Sequence, residues 1–183
     1  MYRLLADSKS HFSIGESMLK PEEIAAGAKA AGYNAAALCD VMTISGMPDF
    51  TKACDKEDIK PVIGVRLRIV PNLDKVDKVY TVFPKLYILS QTGFEIVTQL
   101  LSLAYDDDHF YRVPRLTFDD VIEAIKSAKG HIAYSTGSLY SALRDSNTHS
   151  SHKRIQSLLT SSMTFAELVP GNSAVWDRQA EEA

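Results

Sequence analysis

Short, wholly apolar segments alternate with amphipathic helical patterns along this chain, and that alternation limits the possible folds more than any other feature. Residues 35–39 form one such segment, of the kind that a parallel strand shows when both faces of its sheet are covered. The helical pattern before it begins at Pro21, places Ile24 and Ala28 on one face, and ends at Gly32. Repeated strand, loop and helix predict parallel β/α units. No phosphate-loop glycine pattern follows the first strand, so a (β/α) barrel or part of one is favoured over a nucleotide-binding fold.

The apolar segments predict the strands, and the amphipathic segments predict the helices between them. Thr92 and Glu95 form a capping-box pattern for the third helix, and Thr117 is a predicted N-cap for the fourth. The predicted strands cover residues 4–8, 35–39, 62–69, 80–83, 86–89, 131–135 and 164–168. The predicted helices cover residues 21–31, 47–56, 94–105 and 118–129, with further ones from about 138, from about 150 to 159, and after 171.

Composition and charge narrow the class of protein. The 183 residues, 45% of them hydrophobic, suffice for one domain with a hydrophobic core. No apolar run approaches the roughly 20 residues that span a bilayer, and residues 1–5 lack the apolar region of a signal peptide. The two cysteines, Cys39 and Cys54, favour a reducing compartment over a disulfide framework. We therefore expect a cytoplasmic protein without a membrane segment.

The net charge of −3 argues against autonomous binding to DNA, since such a domain usually carries a basic excess or a basic stripe. The short basic run from His152 to Arg154 is predicted to be a solvated helix face. Membership of a larger DNA-binding assembly remains compatible with this charge.

Three stretches, in order and at matching gaps, resemble a known family. They are SHFSIGE (10–16) with KPEE (20–23), AALCD (36–40) with IKPVIG (59–64), and TGF (92–94) with LLSLAY (100–105). The similarity extends through GHIAYS (130–135) and, more weakly, FAEL (165–168). Together they resemble the N-terminal polymerase-and-histidinol-phosphatase (PHP) domain of bacterial-type DNA polymerase III alpha subunits.

This resemblance implies a fold and a domain organisation. PHP domains of this family are distorted (β/α)7 barrels similar to TIM barrels, with mostly parallel strands. We expect residues 1–183 to form a single α/β PHP domain. A later strand carrying an Asp-x-His pair is missing, so the barrel is expected to be incomplete at its C-terminal strands. We also expect the open edge of the fragment to be covered by self-association or by another part of the protein.

The resemblance also implies a metal centre. PHP enzymes bind two or three divalent ions (zinc, manganese or magnesium) through histidines and carboxylates, and the ions activate water for phosphoester cleavage. Three carboxylates, Asp7, Glu16 and Asp40, remain at positions that match ligands. The other matched positions carry residues unsuited to metal binding: Lys9, Val41, Arg66, Gly137, and Lys85 or, with a longer turn, Phe83.

We therefore expect these positions to be vestigial, with no metal, no cofactor and no catalytic residue. The cations should instead neutralise the carboxylates, so that Lys9 or Arg66 lies within ion-pair reach of Asp7, Glu16 or Asp40. Lys85 is a third candidate cation.

Other metal candidates are weaker, and no nucleophile pattern is present. His11 occupies a variable spacer position and is expected to be an exposed loop residue. Asp106–Asp108 with His109 reads as a solvated loop, and His149 with His152 as two solvated helix residues. The segment from Ser135 to Ser138 lacks a flanking glycine of a nucleophile elbow.

Three functions follow from the resemblance. The first is a structural and protein-interaction domain of a replicative polymerase. Its implied partners are the remainder of the polymerase chain and a proofreading exonuclease subunit, with DNA reached only through the assembly. The second is an active PHP phosphoesterase or 3′–5′ exonuclease, against which Lys9, Val41 and Arg66 argue. The third is a free-standing PHP-fold interaction protein, which a reading frame of about two hundred residues would favour.

Overall fold

A computed structural model describes residues 2–76, 81–137, 153–155, 157–158 and 164–165. They form a mixed α/β structure of two compact units, Met1–Arg66 and Leu67–Ala183. Among the described residues, no helix combines the length and the apolar character needed to cross a membrane.

The first unit contains three parallel strands and two helices. In chain order they are β1 (Leu4–Leu5), α1 (Pro21–Ala30), β2 (Ala35–Val41), α2 (Met47–Lys56) and β3 (Lys60–Arg66). Strand β2 pairs in parallel with both β1 and β3, and its last residue, Val41, lies opposite Arg66. Pro21 at the start of α1 and the acidic Glu22 and Glu23 in its first turn favour helix initiation there.

The core of the first unit lies where α1 and α2 pack against β2. Ile24, Leu38, Phe50 and Cys54 are buried together there. Burial of these apolar side chains holds both helices against the sheet. The arrangement at the C-terminal ends of the strands depends on the loops that follow them.

Among the described residues, the second unit contains five short strands and two helices of more than ten residues. They are β4 (Ile69–Val70), β5 (Lys85–Ile88), α3 (Gln91–Ala104), β6 (Leu116–Thr117), α4 (Phe118–Ala128), β7 (Ile132–Ser135) and β8 (Thr164–Phe165). β4 pairs in parallel with β6, and β7 with β8, whereas β5 runs antiparallel to β7. The strand pairs among the described residues are thus mostly parallel, as predicted.

Two strand predictions need correction. The strand predicted over 62–69 is interrupted at Leu67 and Arg68, because Leu67 N–H donates to Pro84 O and Arg68 O accepts from Leu116 N–H. The chain therefore changes hydrogen-bond partners between β3 and β4. In the described part of 80–83, Val82 forms only an isolated bridge with Ile69.

The predicted start of the third helix was also wrong. Helix α3 begins after Ser90, whose extended backbone and side-chain oxygen, accepting from Gly93 N–H, make it the N-cap. Thr92 lies inside the first turn. Thr117 is the N-cap of α4 as predicted. The described part of 150–159 is helical at 153–155 and 157–158, while the helices predicted from 138 and after 171 lie outside the described residues.

Candidate functional site

Six of the seven predicted site positions lie in the first unit, at or after the C-terminal ends of its strands. Asp7 and Lys9 follow β1, Asp40 and Val41 end β2, and Arg66 ends β3. Glu16 lies in the long connection between β1 and α1. Because these strands are parallel, their C-terminal ends share one edge of the sheet.

Arg66 forms an ion pair with Asp7. Its Nη2 atom lies 2.5 Å from Asp7 Oδ2, and the side chains of Arg66 and Asp7 are 13% and 32% exposed. An arginine is always protonated and offers five donors but no lone pair to a metal. Arg66, which the resemblance predicts to stand at a carboxylate-ligand position, thus binds a neighbouring carboxylate.

Lys9 forms the second ion pair, with Glu16. The distance from Lys9 Nζ to Glu16 Oε2 is 2.8 Å, and the side chains are 27% and 34% exposed. This partial exposure limits the contribution of the pair to about 1 kcal/mol or less. The prediction that Lys9 or Arg66 would pair with one of the retained carboxylates is confirmed for both cations.

Asp40 is held by hydroxyl groups rather than by a cation. Its Oδ1 accepts from Ser10 N–H at 2.7 Å and from Ser13 Oγ at 2.6 Å, while its Oδ2 accepts from Ser10 Oγ at 2.7 Å. Asp40, Ser10 and Ser13 are all buried, with Asp40 only 1% exposed. We call these three residues the Asp40 cluster.

The roles of Ser10 and Ser13 were missed at the level of sequence. Both belong to the SHFSIGE stretch, but serines are common in loops and nothing in their spacing indicates which carboxylate they meet. The available signal was a pair of small hydroxyl residues just after β1, together with an aspartate at the end of the adjacent strand. Only the course of the backbone brings them together.

Val41 and Gly46 lie next to the Asp40 cluster. The backbone N–H of Val41 donates to Ser13 Oγ at 3.1 Å, so Ser13 both donates and accepts in the cluster. A Cβ atom added at Gly46 would lie 3.0 Å from Asp40 Oδ2 and 3.1 Å from a ring carbon of Phe12. The backbone at Gly46 therefore approaches the carboxylate closely.

The remaining matched positions lie in the second unit. Lys85 is fully buried and lies opposite Ser135 in the β5–β7 pair. Gly137 has φ +77°, and a Cβ there would clash with Phe83 O. Only glycine fits this position, so no metal-ligating side chain is possible at it.

A cavity of about 250 Å³ lies beside Asp7 and the Lys9–Glu16 ion pair. It is lined by Asp7, Ser8, Lys9, Glu16, Ser17 and Leu19. Within the part of the chain that the structure describes, no group of three or more His, Cys, Asp or Glu side chains is arranged to hold a metal ion.

The weaker metal candidates have other surroundings. His11 is exposed and stacks on Phe12, as expected of a loop histidine. Asp106–Asp108 are exposed, whereas His109 Nε2 lies 3.3 Å from Asp120 Oδ2 at the start of α4. Lys153 and Arg154 are exposed helical residues, as predicted, and His149 and His152 lie outside the described residues.

A solved structure shares this fold. The crystal structure of a candidate metal-dependent phosphoesterase from Bifidobacterium adolescentis matches with a TM-score of 0.63, covering 99% of this chain and 82% of that chain. The sequence identity is 12%, so the similarity concerns the fold alone.

The sequence comparisons identify the family. DNA polymerase III subunit alpha of Yersinia pestis is 28% identical over 152 residues, covering 74% of this chain but 13% of that protein. The subunit of the same name from Neisseria meningitidis serogroup A is 32% identical over 96 residues, covering 52% of this chain and 8% of that protein. The PHP domain model matches residues 7–165. The chain therefore belongs to the PHP domain family.

Proposed function

We propose that this chain is the PHP domain of a DNA polymerase III alpha-like replicative polymerase, with a structural and protein-interaction role and without the metal-dependent phosphoesterase activity of PHP enzymes. The observation that carries this proposal is the pair of ion pairs, Arg66 with Asp7 and Lys9 with Glu16, at positions that match metal ligands. The fold similarity to a candidate phosphoesterase does not favour activity, since it extends to the fold only.

The residues present do not fit a divalent metal cluster. The ammonium group of Lys9 and the guanidinium group of Arg66 would lie beside any bound ion, and like charges repel at that distance. Asp7 Oδ2 and Glu16 Oε2 bind these cations, and both oxygens of Asp40 accept from Ser10 and Ser13. Val41 has no lone pair to donate. We derive no hydrolytic step from this site.

The proposed partners follow from the relatives. The curated proteins that match are DNA polymerase III alpha subunits, and this chain covers 13% or less of their length. We propose that the domain contacts the remainder of a polymerase chain and a proofreading exonuclease subunit in the cytoplasm. The net charge of −3 agrees with contact to DNA only through the assembly. We further propose that residues 1–183 constitute one incomplete PHP barrel, which self-associates when isolated.

Metal analysis and activity assays test the loss of the metal centre. We expect the purified chain, after incubation with zinc or manganese and desalting, to retain far less than one equivalent of metal. Phosphatase activity on p-nitrophenyl phosphate and exonuclease activity on labelled single-stranded DNA should equal those of an Asp7→Asn/Glu16→Gln variant. One equivalent of tightly held metal, together with activity that this variant loses, would contradict the proposal and favour an active PHP phosphoesterase.

A mixing experiment tests the interaction role. We expect the chain to form a complex with a separately purified polymerase III alpha core from the same source, or with its exonuclease subunit, in sedimentation analysis. If neither complex forms and the chain remains a monomer, a free-standing protein is favoured.

A further inference from the structure

The loop of residues 10–19 lies between β1 and α1 and buries little apolar surface of its own. Ile14 and Met18 are 93% and 94% exposed, and Leu19 is 52% exposed. Apolar burial, which fixes α1 and α2 on the sheet, therefore contributes little to the order of this loop. Phe12 is the half-buried apolar residue of the loop, and the rest of the loop conformation depends on polar contacts.

Polar contacts close the loop at its two ends. His11 N–H donates to Leu19 O at 2.8 Å, and Ser17 Oγ donates to Lys9 O at 2.7 Å. These bonds join the ends of the loop to each other. Ser10 and Ser13 bind it to strand β2 through Asp40.

We infer that the Asp40 cluster fixes loop 10–19 to the end of β2, so that Asp40 has a structural role at the position that matches a metal ligand in the family. This inference rests on the proposed function, because it assigns Asp40 a role in a site without metal. Ser10 and Ser13, which match no metal-ligand position, are the residues that hold the loop.

The geometry at Asp40 supports this role. An ionised carboxylate offers about four acceptor positions, and three are used by Ser10 and Ser13. The backbone at Gly46 also passes close to Oδ2, since a Cβ atom added there would lie 3.0 Å from this oxygen. A buried carboxylate with several hydrogen bonds is stable, whereas removing one partner leaves a buried polar group unsatisfied.

Hydrogen exchange of the loop amides tests the inference. We expect Ser13→Ala to accelerate exchange of the amides of residues 10–19 by about tenfold or more, since removing a buried hydroxyl partner favours local opening. Ser13→Thr, which keeps the hydroxyl group, should restore most of the protection. Ser102→Ala, which removes an exposed hydroxyl bonded within α3, is the matched control and should leave these amides unchanged.

Further variants and a chelator arm separate this inference from the proposed function. Ser10→Ala should reproduce the effect of Ser13→Ala, so the test remains available if one of the two variants does not fold. Unchanged loop exchange in both serine variants would overturn the inference and leave the proposed function intact. Wild-type protein treated with EDTA should exchange as untreated protein does. Faster loop exchange after EDTA would show that a metal holds the loop, and both proposals would then fail.

Discussion

At the scale of single residues, the carboxylates of the site have two different kinds of partner. Asp7 and Glu16 are partly exposed and meet cations, whereas the fully buried Asp40 meets neutral hydroxyls and a backbone amide. The difference follows from solvent. A buried lysine or arginine beside Asp40 would add its own desolvation cost, while serine side chains supply short hydrogen bonds without a second buried charge.

Cys54 provides a residue-scale prediction for alkaline pH. Burial, with a smaller effect of the neighbouring Asp55 charge, raises the pKa of the Cys54 thiol from 9.0 to about 11. Below pH 9 both folded and unfolded chains keep the proton, so the stability is complete. Above pH 9 the unfolded chain loses the proton first, and the free energy of unfolding should fall by up to about 1.4 kcal/mol per pH unit until pH 11.

The measurement compares wild type with Cys54→Ala in urea unfolding between pH 8 and pH 10.5. Burial also raises the pKa of Tyr134, so both proteins lose stability at high pH, and only their difference reports Cys54. We expect the stability advantage of wild type to shrink as the pH rises. A difference that stays constant over this range would show that the thiol does not retain its proton in the folded chain.

What the sequence could predict at this scale depended on the kind of residue. Lys9 and Arg66, which the resemblance places at ligand positions, were informative, because a protonated lysine or arginine has no lone pair for a metal and requires an anion nearby. The serines were not informative, because hydrogen bonds of short side chains depend on a backbone path that no pattern specifies. Asp7 and Arg66 are 59 positions apart in sequence and are brought together by the pairing of β2 with both β1 and β3.

At the scale of elements, the helices were predictable because their signals are local. Helix α2 has the predicted bounds, and Thr117 caps α4 as predicted. The interruption between β3 and β4 was not predictable, because it results from hydrogen bonds with Pro84 and Leu116, which are distant in sequence. Strand β6 has only two residues and carries no periodic signal.

The N-cap of α4 gives the element-scale prediction. Thr117 Oγ1 accepts from Asp120 N–H, and Asp120 Oδ2 accepts in return from Thr117 N–H at 2.7 Å. The same carboxylate oxygen lies 3.3 Å from His109 Nε2. We expect Thr117→Ala to lower the free energy of unfolding by about 1 kcal/mol, whereas Thr117→Ser should retain most of it. Urea unfolding measures the effect. The control is Thr98→Ala, which changes an exposed threonine inside α3. Equal losses in Thr117→Ala and Thr98→Ala would mean that the cap contributes nothing specific.

At the scale of the whole molecule, the family and the α/β class were predictable because ordered motifs extend over both compact units. The PHP model matches from residue 7 to residue 165, which includes parts of each unit. The state of the site was less predictable, because it depends on contacts between residues of different strands. The carboxylates suggested by the motif are present, and each binds a protein partner through at least one of its oxygens.

A variant that carries potential metal ligands at positions 9, 41 and 66 tests whether the residues at these positions, rather than the fold, exclude metal. In Lys9→His/Val41→His/Arg66→Glu, both cations are removed, and Asp7 faces a new carboxylate at position 66. Like-charge repulsion should lower the Tm of this variant without metal. An ion that binds only the folded state raises the Tm by mass action. We therefore expect zinc or manganese to raise the Tm of the variant but not that of wild type. Lys9→Gln/Val41→Leu/Arg66→Gln removes the same cations without adding ligands, and it should show no metal-dependent rise. A rise of equal size in wild type would mean that Lys9 and Arg66 do not prevent metal binding, and the cation-substituted site would then have to be abandoned.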